Sequence, residues 1–210
     1  MKNLFRGSRF ILGILGLIAI IVQMTHGLRY NDMILSNFFS YFTIQSNILI
    51  VAMLLTGAMF STKQFYSRQF QLVRGAVTTY IMTTGIVYFL FLRGMEAELQ
   101  TTIPWVNFVL HILLPLYALF DWLAAPSLNQ ISFRRVWLWI LYPLTYLIYT
   151  LVRGPLVDWY PYPFLDPRLG GYGQVLISSL VITVLILLCS LIVVGSRKLR
   201  SSSPVPAEVE

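Results

Sequence analysis

The sequence predicts an all-α integral membrane protein, a bundle of six transmembrane helices. Of its 210 residues 57% are hydrophobic and only 11% are charged, whereas a soluble domain carries roughly 25% charged residues. The mean hydropathy is +0.73, more apolar surface than a soluble fold of this size can bury. The apolar residues also gather into six runs, each near the ~20 residues that a membrane helix needs.

The runs cover residues 9–28, 36–60, 72–92, 104–124, 133–152 and 172–195. Barrel strands would be shorter and would alternate in polarity, so helices are the only spanning structure these runs allow. No polar linker is long enough to divide the chain, and residues 1–200 read as one domain. The stretch 201–210, Ser-Ser-Ser-Pro-Val-Pro-Ala-Glu-Val-Glu, reads as a disordered tail. The first run follows Lys2, Arg6 and Arg9, as a signal peptide would. It lacks a small-x-small cleavage site and reads as a retained span.

Lysine and arginine set the orientation. Lys2, Arg6, Arg9, Lys63, Arg68, Arg74, Arg134, Arg135, Arg197, Lys198 and Arg200 fall on one side. Arg29, Arg93, Arg153 and Arg168 fall on the other, eleven against four of the fifteen present. The positive-inside rule puts the first group, and with it both termini, in the cytoplasm. The net charge of +7 is therefore a topology signal and not a nucleic-acid footprint, and no nucleic-acid partner is expected. Cys189 stands alone in an apolar run, without disulfide or metal-ligand spacing. No metal or cofactor is expected. His26 and His111 differ in height by about a turn, which argues against a shared haem.

Polar residues at membrane depth carry the functional reading, because burying them costs free energy unless they find partners. In the second span Ser36, Ser40, Thr43 and Asn47 follow i, i+4, i+7, i+11 spacing, one face of a helix. Tyr142, Tyr146, Tyr149 and Arg153 repeat that spacing in the fifth span. Tyr80, Thr84 and Tyr88 line up in the third, and Asn107 and His111 in the fourth. Spans two to five are thus expected to surround one polar pocket, with the first and last spans outside it. The competing reading is that these groups only hold helices together.

Counted from Ser36 and Pro104, Thr43 and His111 are each expected about 10 Å below the outer boundary, at a 1.5 Å rise per residue. Pro115 lacks the N–H that would close on the His111 carbonyl, so a kink with a free carbonyl is expected there. The outer segment before the last span holds Pro161, Pro163 and Pro167 among Trp159, Tyr160, Tyr162 and Phe164. It reads as an aromatic anchor at the headgroups or as a semi-rigid lid.

Three motifs, Tyr41-Phe42-Thr43, His111-Ile112-Leu113-Leu114-Pro115 and Trp159-Tyr160-Pro161-Tyr162-Pro163-Phe164-Leu165-Asp166, resemble the androgen-induced membrane hydrolase family and its bacterial six-span relatives. The resemblance runs from the second span to the start of the sixth. It implies a hydrolase in a bacterial cytoplasmic membrane that cleaves fatty acid esters of hydroxy fatty acids. It also implies Thr43 as nucleophile and His111 as partner. The chemistry is sound by itself, since an imidazole can take the proton of a threonine hydroxyl near neutral pH.

Ser40, Asn47, Thr84, Tyr88, Asn107, Tyr146, Tyr149 and Arg153 are the expected pocket residues. Arg153 stands at the rim, where it would hold a fatty acid carboxylate or simply snorkel. No carboxylate is placed to orient the imidazole, because Asp121 lies about 15 Å further along its helix. The expected partners are a membrane lipid as substrate and the bilayer itself. The alternative function is a non-catalytic lipid-binding or transport protein that uses the same pocket.

Overall fold

The computed structural model describes residues 2–99, 101–125, 131 and 136–196, and among them there are helices and no strands. The basic residues at 134, 135, 197, 198 and 200, the start of the fifth run and the tail lie outside the described residues. The elements are α1 (Lys2–Tyr30), α2 (Leu35–Phe38), α3 (Phe42–Met59), α4 (Thr62–Phe65) and α5 (Arg68–Val87), which runs into a π-helical turn at Tyr88–Leu92. Then come α6 (Pro104–Phe108), a second π turn at Val109–Leu113, α7 (Leu114–Ala124), α8 (Val136–Val157), a 3₁₀ turn at Pro163–Leu165 and α9 (Pro167–Gly195). Six helical segments, with the π turns continuing α5 and joining α6 to α7, are long and apolar enough to cross a membrane. The chain is a multi-pass membrane protein.

The largest departure from the expected spans is in the second. The apolar run 36–60 is not one helix: α2 ends at Phe38, Tyr41 is extended (φ −73°, ψ 126°), and α3 begins only at Phe42. Apolarity alone does not register this break, because Phe38, Phe39 and Tyr41 are as hydrophobic as a helix interior. Two expectations fall with it. Ser36 belongs to α2 and does not continue the face of Thr43 and Asn47. Thr43 is the second residue of its helix, so its expected depth below Ser36 does not hold.

α1 packs tightly on α3 through Gly13 and Gly16, where a Cβ would come within 2.7 Å of Leu55 and Val51. α5 is the most enclosed helix, with buried residues from Gln71 to Gly85. α8 and α9 lie outward and expose many large apolar side chains, among them Trp137, Leu141, Ile177 and Leu180.

At the end of the bundle far from Thr43, three charges are buried together. Arg9 Nε donates to Asp121 Oδ1 at 2.7 Å, and Arg74 donates from Nη2 and Nε to Oδ2 at 2.8 and 3.2 Å. Arg74 also donates to the carbonyl of Ala125 and to the Gln71 side chain, and its guanidinium lies over the rings of Phe65 and Trp122. Arg9 and Arg74, read from sequence as loop charges, therefore join α1, α5 and α7 inside the protein. Their burial is possible because one carboxylate and several carbonyls share the two cations.

Candidate functional site

Two π turns build the site. A π turn carries one extra residue in a helical circuit, and its hydrogen bonds run i→i−5. The N–H of Arg93 accordingly reaches the Tyr88 carbonyl, and that of Leu114 reaches the Val109 carbonyl. The two turns place Tyr88 and His111 ring on ring, with centroids 4.3 Å apart and 25° between planes. Gly85 allows this approach, since a Cβ there would meet Pro115 at 3.0 Å and the His111 carbonyl at 3.1 Å.

Pro115 acts on a different carbonyl from the one expected. In the π register, residue 115 would bond to Leu110, and proline has no N–H to give. The Leu110 carbonyl instead accepts Asn47 Nδ2 at 3.2 Å, and the same amide donates to the Thr43 carbonyl at 2.9 Å. Asn47 thus ties the first turn of α3 to the turn that carries His111.

His111 is buried, at 4% exposure. Its Nδ1 lies 3.2 Å from the Asn107 carbonyl. A carbonyl only accepts, so Nδ1 bears the hydrogen and Nε2 holds the lone pair. The ring is backed by a carboxylate that sequence reasoning missed. Tyr88 donates its hydroxyl to Glu96 at 2.7 Å and accepts Asn107 Nδ2 at 2.7 Å. The N–H of Gly94, available because Gly94 adopts φ +92°, and then the Tyr88 hydroxyl hold the Glu96 carboxyl below its usual range. Glu96 sits in a loop and is tied to the imidazole's neighbours by its hydrogen bond to Tyr88, which in turn holds Asn107. No periodicity in the sequence could have paired them.

Thr43 and His111 line one small cavity of about 30 Å³, which is room for about one water. Tyr88, Asn107 and Tyr162 also line it, as does Gln23 from the first span. Asn107 Oδ1 is buried without a protein partner. Thr43 and Tyr162 line a second, larger chamber of about 220 Å³ as well. Its walls are mostly apolar and come from α3, α5, α8, α9 and the 162–165 segment, with Thr84, Tyr146, Pro143, Phe164, Ile182 and Ile186 among them. The single pocket expected between spans two and five is therefore two cavities, and the first and sixth spans contribute to them. Thr43 stands at their junction.

Ser40, Asn47, Tyr149 and Arg153 line neither cavity. Ser40 shares a 2.8 Å hydrogen bond with the Tyr149 hydroxyl, and Tyr146 donates to the Ser40 carbonyl at 3.0 Å. Arg153 donates to Asn37 at 2.6 Å and to Ser36 at 3.2 Å, so it fastens α8 to α2. All four tie helices together: Asn47 joins α3 to the His111 turn, and the others join α8 to the Ser36–Ser40 segment, which the break before α3 turns toward it. Thr84 bonds Ser46 at 2.9 Å between α5 and α3. His26 meets the Tyr30 ring at a tilt, 5.1 Å between centroids, and lines neither cavity.

Part of the proline-rich segment turns into the protein. Tyr162 (5% exposed), Phe164 and Leu165 are buried. Tyr162 stacks flat on Phe164 at 5.1 Å and meets Tyr41 edge-on at 5.6 Å. Its hydroxyl lies 3.2 Å from Thr43 Oγ1 and accepts the Thr43 N–H at 3.1 Å. Arg168 clamps the segment from outside through Asp158 and Asp166. The mixture of proline and aromatic residues predicts a rigid strap, but nothing in its spacing indicates that it turns inward. The chain matches no protein-family model, no curated protein and no solved structure.

Proposed function

We propose that the chain is an intramembrane lipid ester hydrolase in which Thr43 is the nucleophile and His111 its general base. The observation that carries this reading is the place of Thr43: one cavity is lined by it and by His111, and the other is an apolar chamber. A cavity of about 150 Å³ takes up benzene, so about 220 Å³ holds a run of methylenes. An acyl chain in that chamber brings its ester carbonyl to Thr43.

In the acylation step Oγ1 bonds to the carbonyl carbon and its proton passes to His111 Nε2. The C–O bond to the leaving alkoxide then breaks, and the alkoxide takes that proton. A water in the small cavity, held by Asn107 Oδ1 and activated by His111, hydrolyses the acyl-threonine. The motif resemblance points to fatty acid esters of hydroxy fatty acids as substrates and to a bacterial cytoplasmic membrane. The distribution of basic residues orients the Thr43 end of the bundle outward, so substrate enters from the outer leaflet.

The test is hydrolysis of such esters by the purified protein in lipid nanodiscs. Thr43→Ala and His111→Ala should each lower turnover by about 10²-fold or more. Undiminished turnover in both variants ends the reading. A second reading, lipid binding or transport without chemistry, is favoured by one observation: the Thr43 hydroxyl bonds Tyr162. A covalent adduct on Thr43 from a serine-hydrolase-type probe decides against it.

A further inference from the structure

We propose that the Tyr162 hydroxyl and the Thr43 backbone N–H together form the oxyanion hole for the ester carbonyl. This rests on Thr43 being the nucleophile, and it adds a catalytic residue from the strap.

The first N–H groups of a helix have no partner within it. At the start of α3 the N-cap residue Tyr41 supplies no side-chain cap. The Thr43 N–H instead goes to the phenol oxygen of Tyr162, 119 residues away, at 3.1 Å. That oxygen is also 3.2 Å from Thr43 Oγ1. A single oxygen thus lies within reach of both the attacking hydroxyl and the adjacent N–H. The carbonyl oxygen of a bound ester belongs beside it, between the phenol and the N–H and 2.7–3.1 Å from each donor.

At rest the phenol oxygen accepts the Thr43 N–H and shares a hydrogen bond with Thr43 Oγ1. When an ester carbonyl oxygen enters, it accepts the Thr43 N–H and the Tyr162 O–H. The phenol then no longer engages Oγ1, which is left to give its proton to His111. As Oγ1 bonds to the carbon, the carbonyl π pair moves onto oxygen, and the two donors hold the charge. Collapse re-forms the carbonyl and breaks the bond to the leaving oxygen, which takes the proton from His111; once water has hydrolysed the acyl-threonine through the same hole, the resting bond between Tyr162 and Thr43 returns.

Preorganisation is what gives such donors their effect, and Tyr162 has it. Its ring is stacked on Phe164 and wedged against Tyr41, and its carbonyl accepts the Leu165 N–H at 3.0 Å. Burial pushes the phenol above its ordinary value, ahead of the opposing hydrogen bonds from Thr43, so it keeps its proton at neutral pH. Tyr162 lines both the acyl chamber and the His111 cavity, as Thr43 does.

The experiment measures kcat and KM for a fatty acid ester of a hydroxy fatty acid in nanodiscs, with the full chain. Tyr162→Phe should lower kcat by about 10²–10³-fold, the usual loss of one oxyanion donor, and leave KM within about threefold. Thr43→Ala should be inactive. If Thr43→Ala is inactive and Tyr162→Phe keeps kcat within threefold, Tyr162 is only a helix cap and the proposal falls. If Thr43→Ala stays active, the nucleophile assignment falls and the proposal falls with it. Fluorinated tyrosines at position 162 keep the shape and make the phenol more acidic, which covers a Tyr162→Phe protein that does not fold. They should move the alkaline limb of kcat to lower pH, stepwise with fluorination. An unmoved limb overturns the proposal.

Discussion

Replacing Asp121 by asparagine keeps the shape of the side chain and removes the carboxylate that Arg9 and Arg74 share. Both guanidinium groups are buried, Arg74 at 0% and Arg9 at 4% exposure, and neither can swing to water without unpacking Phe65 or Trp122. Breaking one buried ion pair costs about 3–5 kcal/mol, because the remaining charge is stranded. Here one substitution strands two charges. Arg74 keeps the carbonyls of Ala125 and Asp121, which offsets part of its loss, while Arg9 loses its ion-pair partner. The expected cost of Asp121→Asn is thus about 4 kcal/mol, a large part of the ~5–15 kcal/mol that holds a typical fold. Reversible unfolding in mixed micelles, followed by helical circular dichroism, measures it. A loss below 1 kcal/mol would show that the charges are not confined as the geometry requires. The variant Arg74→Lys should recover little, since an ammonium cannot span Asp121, Gln71 and Ala125 at once.

Three further outcomes follow from the site. Asn47→Leu leaves the Leu110 carbonyl without a partner and should cost about 1 kcal/mol, the low end for an orphaned group, because it also removes the unpartnered Asn47 Oδ1; micelle unfolding reads it. Pro115→Ala supplies an N–H that favours the ordinary i→i−4 register, so stability should hold or rise while turnover falls tenfold or more; equal turnover would show that the π turn is incidental. The Arg168 side chain holds the Asp166 carboxyl below its usual range. A carboxylate with a lowered folded-state value stabilises above its unfolded value, and this contribution is lost as pH falls through the folded value. Proteolysis between residues 158 and 166 should therefore accelerate on acidification below the ordinary aspartate range, and Asp166→Asn should already be fast at neutral pH.

Composition made the six crossings legible, because a twenty-residue apolar run has one physical solution in lipid. It did not reveal where helices break. Phe39 and Tyr41 keep the second run apolar across a bend, where Tyr146 and Tyr149 hydrogen-bond Ser40. Thr43 and His111 were visible as polar groups with no business in hydrocarbon, and the structure puts both on one cavity by a route other than matched depth. Tyr162 and Glu96 were invisible as site residues for the same reason: each reaches the site from a loop, where no period relates it to its partner. Arg9 and Arg74 were misread because a charge near a helix end looks the same whether it snorkels or turns inward. The acid inside the fourth apolar run, Asp121, was the sign that some cation must come in to meet it.

The two π turns gain meaning when set beside Gly85. A π turn forfeits the better geometry of the α-helix, so it persists only where tertiary contacts favour it. Here two occur on facing helices, and each would be pointless without the other. The turn after Val87 brings the Tyr88 ring inward, and the turn after Phe108 brings the His111 ring to meet it. Glycine at 85 lets the backbones close, and proline at 115 denies the second helix its ordinary hydrogen bond. Asn47 then takes the carbonyl that the proline leaves open, from the very helix whose first turn carries Thr43. A bundle selected for packing alone would have straight helices and a leucine at 47. Instead, each irregularity is tied to the next by a hydrogen bond or a steric allowance, and together they set His111 and Thr43 on one small cavity.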